Sequence, residues 1–210
     1  MIFDDPAVRA VFADYEARVE AERGLLASGS ASRDDLLLSV GPEAAGFLHA
    51  LILGRRPKRI LELGTSYGYS TLFLADAAQK IGARVVTMEL AEYKQAHARS
   101  QLERAGLADV VDFQLGDAVA LIAADPGPFD LVLLDIWKDL YLPCFEAFYP
   151  KLSEEGVIAA DNMIDPSSAR PSVRLYRKAV LAKPDLQTVL LPIGQGIELS
   201  VKWSDDNPSL

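Results

Sequence analysis

From Arg59 onward, short apolar runs alternate with longer amphipathic stretches. RILEL (59–63), RVVTMEL (84–90), VVDFQL (110–115), FDLVLLD (129–135) and GVIAAD (156–161) have the length and texture of buried strands. Helical spacing fills the gaps at Ser70–Ile81, Ala91–Ala105, Ala118–Ala123 and Leu140–Leu152. Continuous apolar strands separated by helices predict a parallel sheet covered on both faces. After a helix over Ser172–Leu181 the pattern changes. LQTVLLP (186–192) and GIELSVKW (196–203) have only Ile193, Gly194 and Gln195 between them. That gap suits a hairpin and is too short for a parallel crossover. The expected fold is therefore a Rossmann-like, doubly wound α/β sheet of seven strands, mostly parallel, with an antiparallel C-terminal hairpin.

Upstream of the sheet, Asp5-Pro6 reads as a helix start. Val8, Val11, Phe12, Tyr15 and Val19 follow at helical spacing, and the helix should fade near Leu26. SGSAS (28–32) reads as a linker, and Pro42–Leu53 as a second helix. One domain is expected, with a helical extension over 1–39, a core over 40–203 and a frayed tail over 204–210. The apolar stripe of the first helix suggests a homodimer.

Composition narrows the function classes. The chain has 210 residues, half of them hydrophobic, and a formal net charge of −9. Such a chain folds, and its charge argues against general nucleic-acid binding. Arg170, Arg174, Arg177 and Lys178 form the best basic patch and read as a solvated helix face. Cys144 is the single cysteine and is expected to pack in a helix. No run approaches the roughly 20 apolar residues of a membrane span. The N-terminus lacks the features of a signal peptide, so a cytoplasmic location is expected.

Ligands of open α/β sheets bind beyond the carboxyl ends of the strands. Here those ends carry Glu62 and a glycine turn, Glu89, Gly116-Asp117, Asp135, and Asp161-Asn162. The turn ELGTSYGYS (62–70) spaces Gly64 and Gly68 differently from a dinucleotide fingerprint, and no phosphate-loop Lys follows. Tyr67 and Tyr69 would crowd a pyrophosphate; they either pack the loop or touch the ligand. An adenosine ligand without phosphates suits this rim. Glu89 can accept both ribose hydroxyls. Asp117, or backbone beside it at Ala118, can take the adenine amine. Glu62 can orient loop amides or reach an ammonium group, and Gly64 and Ser70 belong to the same turn. The ligand so described is S-adenosylmethionine.

ELGTSYGYS, TMEL (87–90), LDIWKDLYLP (134–143) and AADNMIDP (159–166) resemble segments of the cation-dependent O-methyltransferases, catechol O-methyltransferase above all. The resemblance runs from about Val40 to Asn162, with weaker matching to Lys202. It implies that Val40 touches the cofactor, as does Asp135, and that Asp135, Asp161 and Asn162 bind a metal. It also implies that Lys138 is the catalytic base and that Trp137 and Pro166 flank an aromatic substrate, although Trp137 alone could be ordinary core. An all-oxygen set suits Mg²⁺, whereas zinc asks for His or Cys. His49 and His97 sit on helices and read as structural. The implied reaction is methylation of a hydroxyl on a catechol-like or vicinally hydroxylated small molecule.

Two departures bear on the acceptor. The family's late glutamate has no counterpart in QTVLLPIGQGI (187–197), and Glu198 falls inside the last strand. MIDPSSARP (163–171) also replaces the family's usual sequence after Asp-Asn. Competing readings are a same-fold methyltransferase acting on a hydroxylated tRNA base, a carboxylate or a hydroxamate, and a non-catalytic binding module.

Overall fold

The computed structural model describes residues 2–203. The expected tail, 204–210, lies outside them. Helix α1 (Pro6–Ser28) is capped by Asp5, whose Oδ1 accepts from the Ala7 amide at 2.7 Å. Helix α2 (Pro42–Arg55) follows, and then the alternating core begins. Its elements are β1 (Arg59–Leu63), α3 (Tyr69–Ile81), β2 (Arg84–Glu89), α4 (Glu92–Arg104), β3 (Val111–Leu115), α5 (Ala118–Ala124) and β4 (Phe129–Leu134). It continues with α6 (Tyr141–Phe148), β5 (Leu152–Ala160), α7 (Arg170–Leu181), β6 (Leu186–Leu191) and β7 (Ile197–Lys202).

The seven strands form one sheet in the order β3-β2-β1-β4-β5-β7-β6. The first five run parallel, and β7 pairs antiparallel with both β5 and β6. Side chains alternate across the sheet, so each strand feeds two cores. Ile60, Val85, Leu131, Leu133 and Ala159 pack beneath α1 to α4. Leu61, Val86, Val132, Leu134, Ile158 and Ala160 pack against α5, α6 and α7. Strands buried on both faces need no polar alternation, which is why their runs are continuously apolar.

The apolar stripe of α1 is used within the chain. Val8, Val11 and Tyr15 are buried in the first core, and the Tyr15 hydroxyl donates to the Tyr67 carbonyl at 2.6 Å. The stripe therefore gives no argument for a second copy. The expected helix over Leu140–Leu152 overran its end. The chain leaves α6 at Phe148, turns through Tyr149–Lys151 and enters β5 at Leu152. The apolar residues Phe148, Tyr149 and Leu152 carry the pattern across this boundary, so periodicity alone does not mark it. Arg177 also departs from the solvated face expected of it: it pairs with Glu198, which is fully buried on β7. A buried carboxylate needs a countercharge, and the hairpin brings this one under α7.

Candidate active site

The parallel register sets the rim. Leu134 pairs with Ala160, the Asp135 amide donates to the Leu63 carbonyl at 3.1 Å, and the Asp161 amide donates to Leu134 at the same distance. Asp135 and Asp161 thus stand side by side just beyond adjacent strands, about 4.8 Å apart in the pairing direction. The turn after β1 crosses the same point. Gly64 has φ +98°, and a Cβ there would lie 2.2 Å from the Asp135 carbonyl oxygen. Only glycine allows that approach.

The rim opens into a cleft of about 1280 Å³. Val40, Gly64, Ser70, Glu89, Asp117, Ala118 and Asp135 line it, and so do Trp137, Lys138, Asn162 and Pro166. Two of the expected residues are placed differently. Glu62 is fully buried and does not line the cleft. Its carboxylate accepts from Ser70 Oγ at 2.6 Å, Thr71 Oγ1 at 2.7 Å and Thr87 Oγ1 at 2.6 Å. Burial pushes its pKa up to about 7 in spite of these bonds. Glu62 ties the first turn of α3 to β2 and makes no bond to a loop amide. Asp161 is 1% exposed and does not line the cleft either, and neither of its side-chain oxygens has a hydrogen-bond partner.

Glu89 is held from behind. Its Oε2 accepts from the Ser66 amide at 2.8 Å, and Oε1 accepts from the Leu90 and Ala91 amides at 2.9 Å. A carboxylate has about four acceptor sites, so capacity remains toward the cleft. Asp117 caps α5 through the Ala120 amide at 2.8 Å. Tyr67 is buried against the loop, under the guanidinium of Arg18, whereas Tyr69 reaches the cleft and donates to Glu16. His49 is structural, bonded to Asp76 at 2.7 Å. Cys144 is buried.

Lys138 reaches back to the rim. Its Nζ donates to Asp135 Oδ1 at 3.1 Å, to the Ile136 carbonyl at 3.0 Å and to the Tyr141 hydroxyl at 2.7 Å. Tyr141 in turn donates to the Asp161 carbonyl at 3.0 Å. It is fully buried, and its pKa is pushed far up by burial and then by Asp135 and Asp161. Tyr141 is a residue that the sequence reading left without a role. Its signal was the three-residue offset from Lys138 in the turn Lys138–Leu140, which puts both side chains on one side. Trp137 stands at the mouth, 52% exposed.

Burial first, and the charge of Asp135 second, push the pKa of Asp161 up to about 7, opposed by the nearby Asn162 amide and the charge of Lys138. Asn162 follows in a left-handed conformation, φ 56°, which Asn tolerates better than most residues. Its Nδ2 donates to Gln195 Oε1 at 2.5 Å.

Comparison with known proteins identifies the family. The family profile described as O-methyltransferase matches residues 30–203. The chain belongs to the O-methyltransferase family. It is 36% identical over 152 residues to the catechol O-methyltransferase of Niastella koreensis, covering 67% of this chain and 68% of that one. It is 28% identical over 183 residues to caffeoyl-CoA O-methyltransferase 1 of Eucalyptus globulus, covering 78% and 74%. Among solved structures, cofactor-bound Rv0187 from MTB superposes with a TM-score of 0.77 at 28% identity, over 96% of this chain and 92% of that one. The O-methyltransferase TomG of Streptomyces achromogenes, in complex with SAM, gives 0.76 at 25% identity, over 96% and 92%. The chain is an S-adenosylmethionine-dependent O-methyltransferase.

Proposed function

We propose that this O-methyltransferase depends on a divalent cation, Mg²⁺ in the first instance, and methylates a hydroxyl of a catechol-like or vicinally hydroxylated small molecule. The observation that carries the proposal is Asp161. Two buried carboxylate oxygens without a donor, next to a second carboxylate, are costly unless a positive group joins them. Lys138 does not fill that role, since its bonds go to Asp135, Ile136 and Tyr141.

The donor set fits the ion. Among the described residues no three His, Cys, Asp or Glu side chains converge, so a site made wholly of such ligands is not offered. Two carboxylates and an amide oxygen suit a hard cation that keeps several of its waters. Asp135, Asp161 and Asn162 would hold it. When bound, the cation would polarise two vicinal substrate oxygens and ease ionisation of the reacting hydroxyl.

The chain's own residues supply the rest. Lys138, fixed by Tyr141 and the Ile136 carbonyl, accepts the proton of the reacting hydroxyl as a neutral amine, having first released one ammonium proton to water. Glu89 presents its remaining acceptor capacity to the ribose hydroxyls of S-adenosylmethionine. Val40, Gly64, Ser70, Asp117, Ala118 and Asp135 line the cofactor's side of the cleft, and Asp117 or the backbone at Ala118 meets the adenine. Glu62 acts through Ser70 and Thr71, holding the helix that the loop enters. Trp137 and Pro166 bound the substrate's aromatic plane, and closure around it favours transfer by position. The names of the relatives, catechol and caffeoyl-CoA O-methyltransferases, support this substrate class.

The test is chelation. EDTA should abolish methylation of 3,4-dihydroxyphenyl compounds by labelled cofactor, and added Mg²⁺ should restore it. Full turnover without metal would remove the cation from the reaction.

A further inference from the structure

The hairpin joining β6 and β7 is pinned into the cleft. Gly194 has φ +56°, and a Cβ on it would lie 3.2 Å from both the Val40 carbonyl oxygen and Ala44 Cβ. Gly196 has φ +95°, and a Cβ there would lie 2.5 Å from Ile164 Cγ1. The backbone between them is tied to the segment after Asn162. The Met163 amide donates to the Gly196 carbonyl at 3.0 Å, and the Ile164 and Asp165 amides donate to the Gln195 carbonyl at 3.0 and 3.1 Å. Gln195 is thus held at the cleft wall.

Its side chain does two things there. Oε1 accepts from Asn162 Nδ2 at 2.5 Å. With Asn162 Nδ2 engaged on this side, its Oδ1 is left for the rim. Gln195 can pair with either end of that amide, and a cation on Oδ1 is what fixes the pair in this sense. A hard cation takes the oxygen and rejects the nitrogen. With Oε1 so engaged, Gln195 Nε2 has no hydrogen-bond partner among the described residues, and the residue lines the cleft.

We propose that Gln195 is a positioning residue for the cation site and a specificity residue for the acceptor. It holds the Asn162 amide in the orientation with Oδ1 on the cation, and its Nε2 donates to the substrate's second oxygen. The second oxygen is then taken as an acceptor. The favoured acceptor class is an aromatic hydroxyl next to a carbonyl or ionised oxygen, above one next to a neutral hydroxyl. This inference rests on the cation reading given above.

Glutamate and alanine separate the two roles. Glutamate at 195 still accepts from Asn162 Nδ2 and loses the donor; alanine loses both. Mn²⁺ binding to the cofactor-loaded protein, followed by electron paramagnetic resonance, reads the first role without turnover. Gln195→Ala should weaken Mn²⁺ binding about 10-fold or more, the usual effect of removing a group that orients a ligand, and Gln195→Glu should restore it. Wild-type protein that binds no Mn²⁺ overturns the cation reading, and this one with it. Wild-type binding that survives unchanged in Gln195→Ala overturns this inference alone, as does failure of Gln195→Glu to restore it. The second role is read from the ratio of kcat/KM for a 3-hydroxy-4-pyranone to that for a 3,4-dihydroxyphenyl compound. Gln195→Glu should lower this ratio about 10-fold, through KM more than kcat, for one charge-assisted hydrogen bond lost. An unchanged ratio overturns the specificity role.

Discussion

Glu62 and Asp161 are both buried carboxylates at the carboxyl ends of parallel strands, and burial pushes both up to about 7. Their surroundings differ. Glu62 receives three hydroxyl hydrogen bonds from Ser70, Thr71 and Thr87. Asp161 receives none and faces the charge of Asp135 instead. The β1–β2 half of the rim is thus complete within the protein and rigid before any ligand arrives. The β4–β5 half leaves Asp161 without a partner, and in the proposed function a cation supplies the positive charge there. One half then serves as a frame, and the other as a socket.

The largest expected effect tests the socket. Asp161→Ala should lower methyl transfer by about 1000-fold or more, with the fold retained, because the proposed cation loses a ligand. Asp161→Asn should also lose activity, yet the metal-free protein should gain about 1–3 kcal/mol in denaturant unfolding at pH 8, since an unpaired buried charge has been removed. A destabilised Asn variant would make Asp161 structural and end the contrast.

Glu62→Ala tests the frame. It strands three buried hydroxyls and opens a cavity, and should cost about 3–5 kcal/mol by the same unfolding measurement. A loss under about 1 kcal/mol would mean that the hydroxyls find other partners.

Lys138→Ala should lower kcat about 100-fold and leave cofactor affinity, measured by calorimetry, nearly unchanged. An unaltered kcat would remove Lys138 as the base.

The smallest effect is a pH dependence. Glu62 has a folded pKa raised to about 7 above an ordinary carboxylate's. Its contribution is therefore most favourable below about pH 4.5, where it is protonated in both states, and is lost as pH rises through about 7. Relative to Glu62→Gln, the wild type should gain stability, by about 3 kcal/mol at most, as pH falls from 8 to 5. A wild type that loses ground over that window would contradict a buried, charge-penalised Glu62.

The rim acids were legible because each follows an apolar run, and an acid at the end of a buried strand stands out against it. Lys138 was legible only through its resemblance to a family motif; a lone lysine three residues past a strand carries little signal. The partners of Glu62 were not legible. Thr71 and Thr87 lie nine and 25 residues away, and meet it only because Glu62 and Thr87 are register partners on adjacent strands. Gln195 was hidden for the same reason, 33 residues from Asn162 on a turn whose sequence speaks only of glycine flexibility. QTVLLPIGQGI shows that no late carboxylate stands there, and nothing in it marks Gln195 as a residue of the cleft wall.

Periodicity by itself determined the alternation of strands and helices, the terminal hairpin and the rim on which a ligand sits, because each depends on local spacing and on which faces must leave water. Tertiary structure alone decided which carboxylate is satisfied and which is left bare. That depends on donors arriving from distant strands, helices and turns, and the free energy of a buried charge is set by those neighbours and not by its own place in the chain.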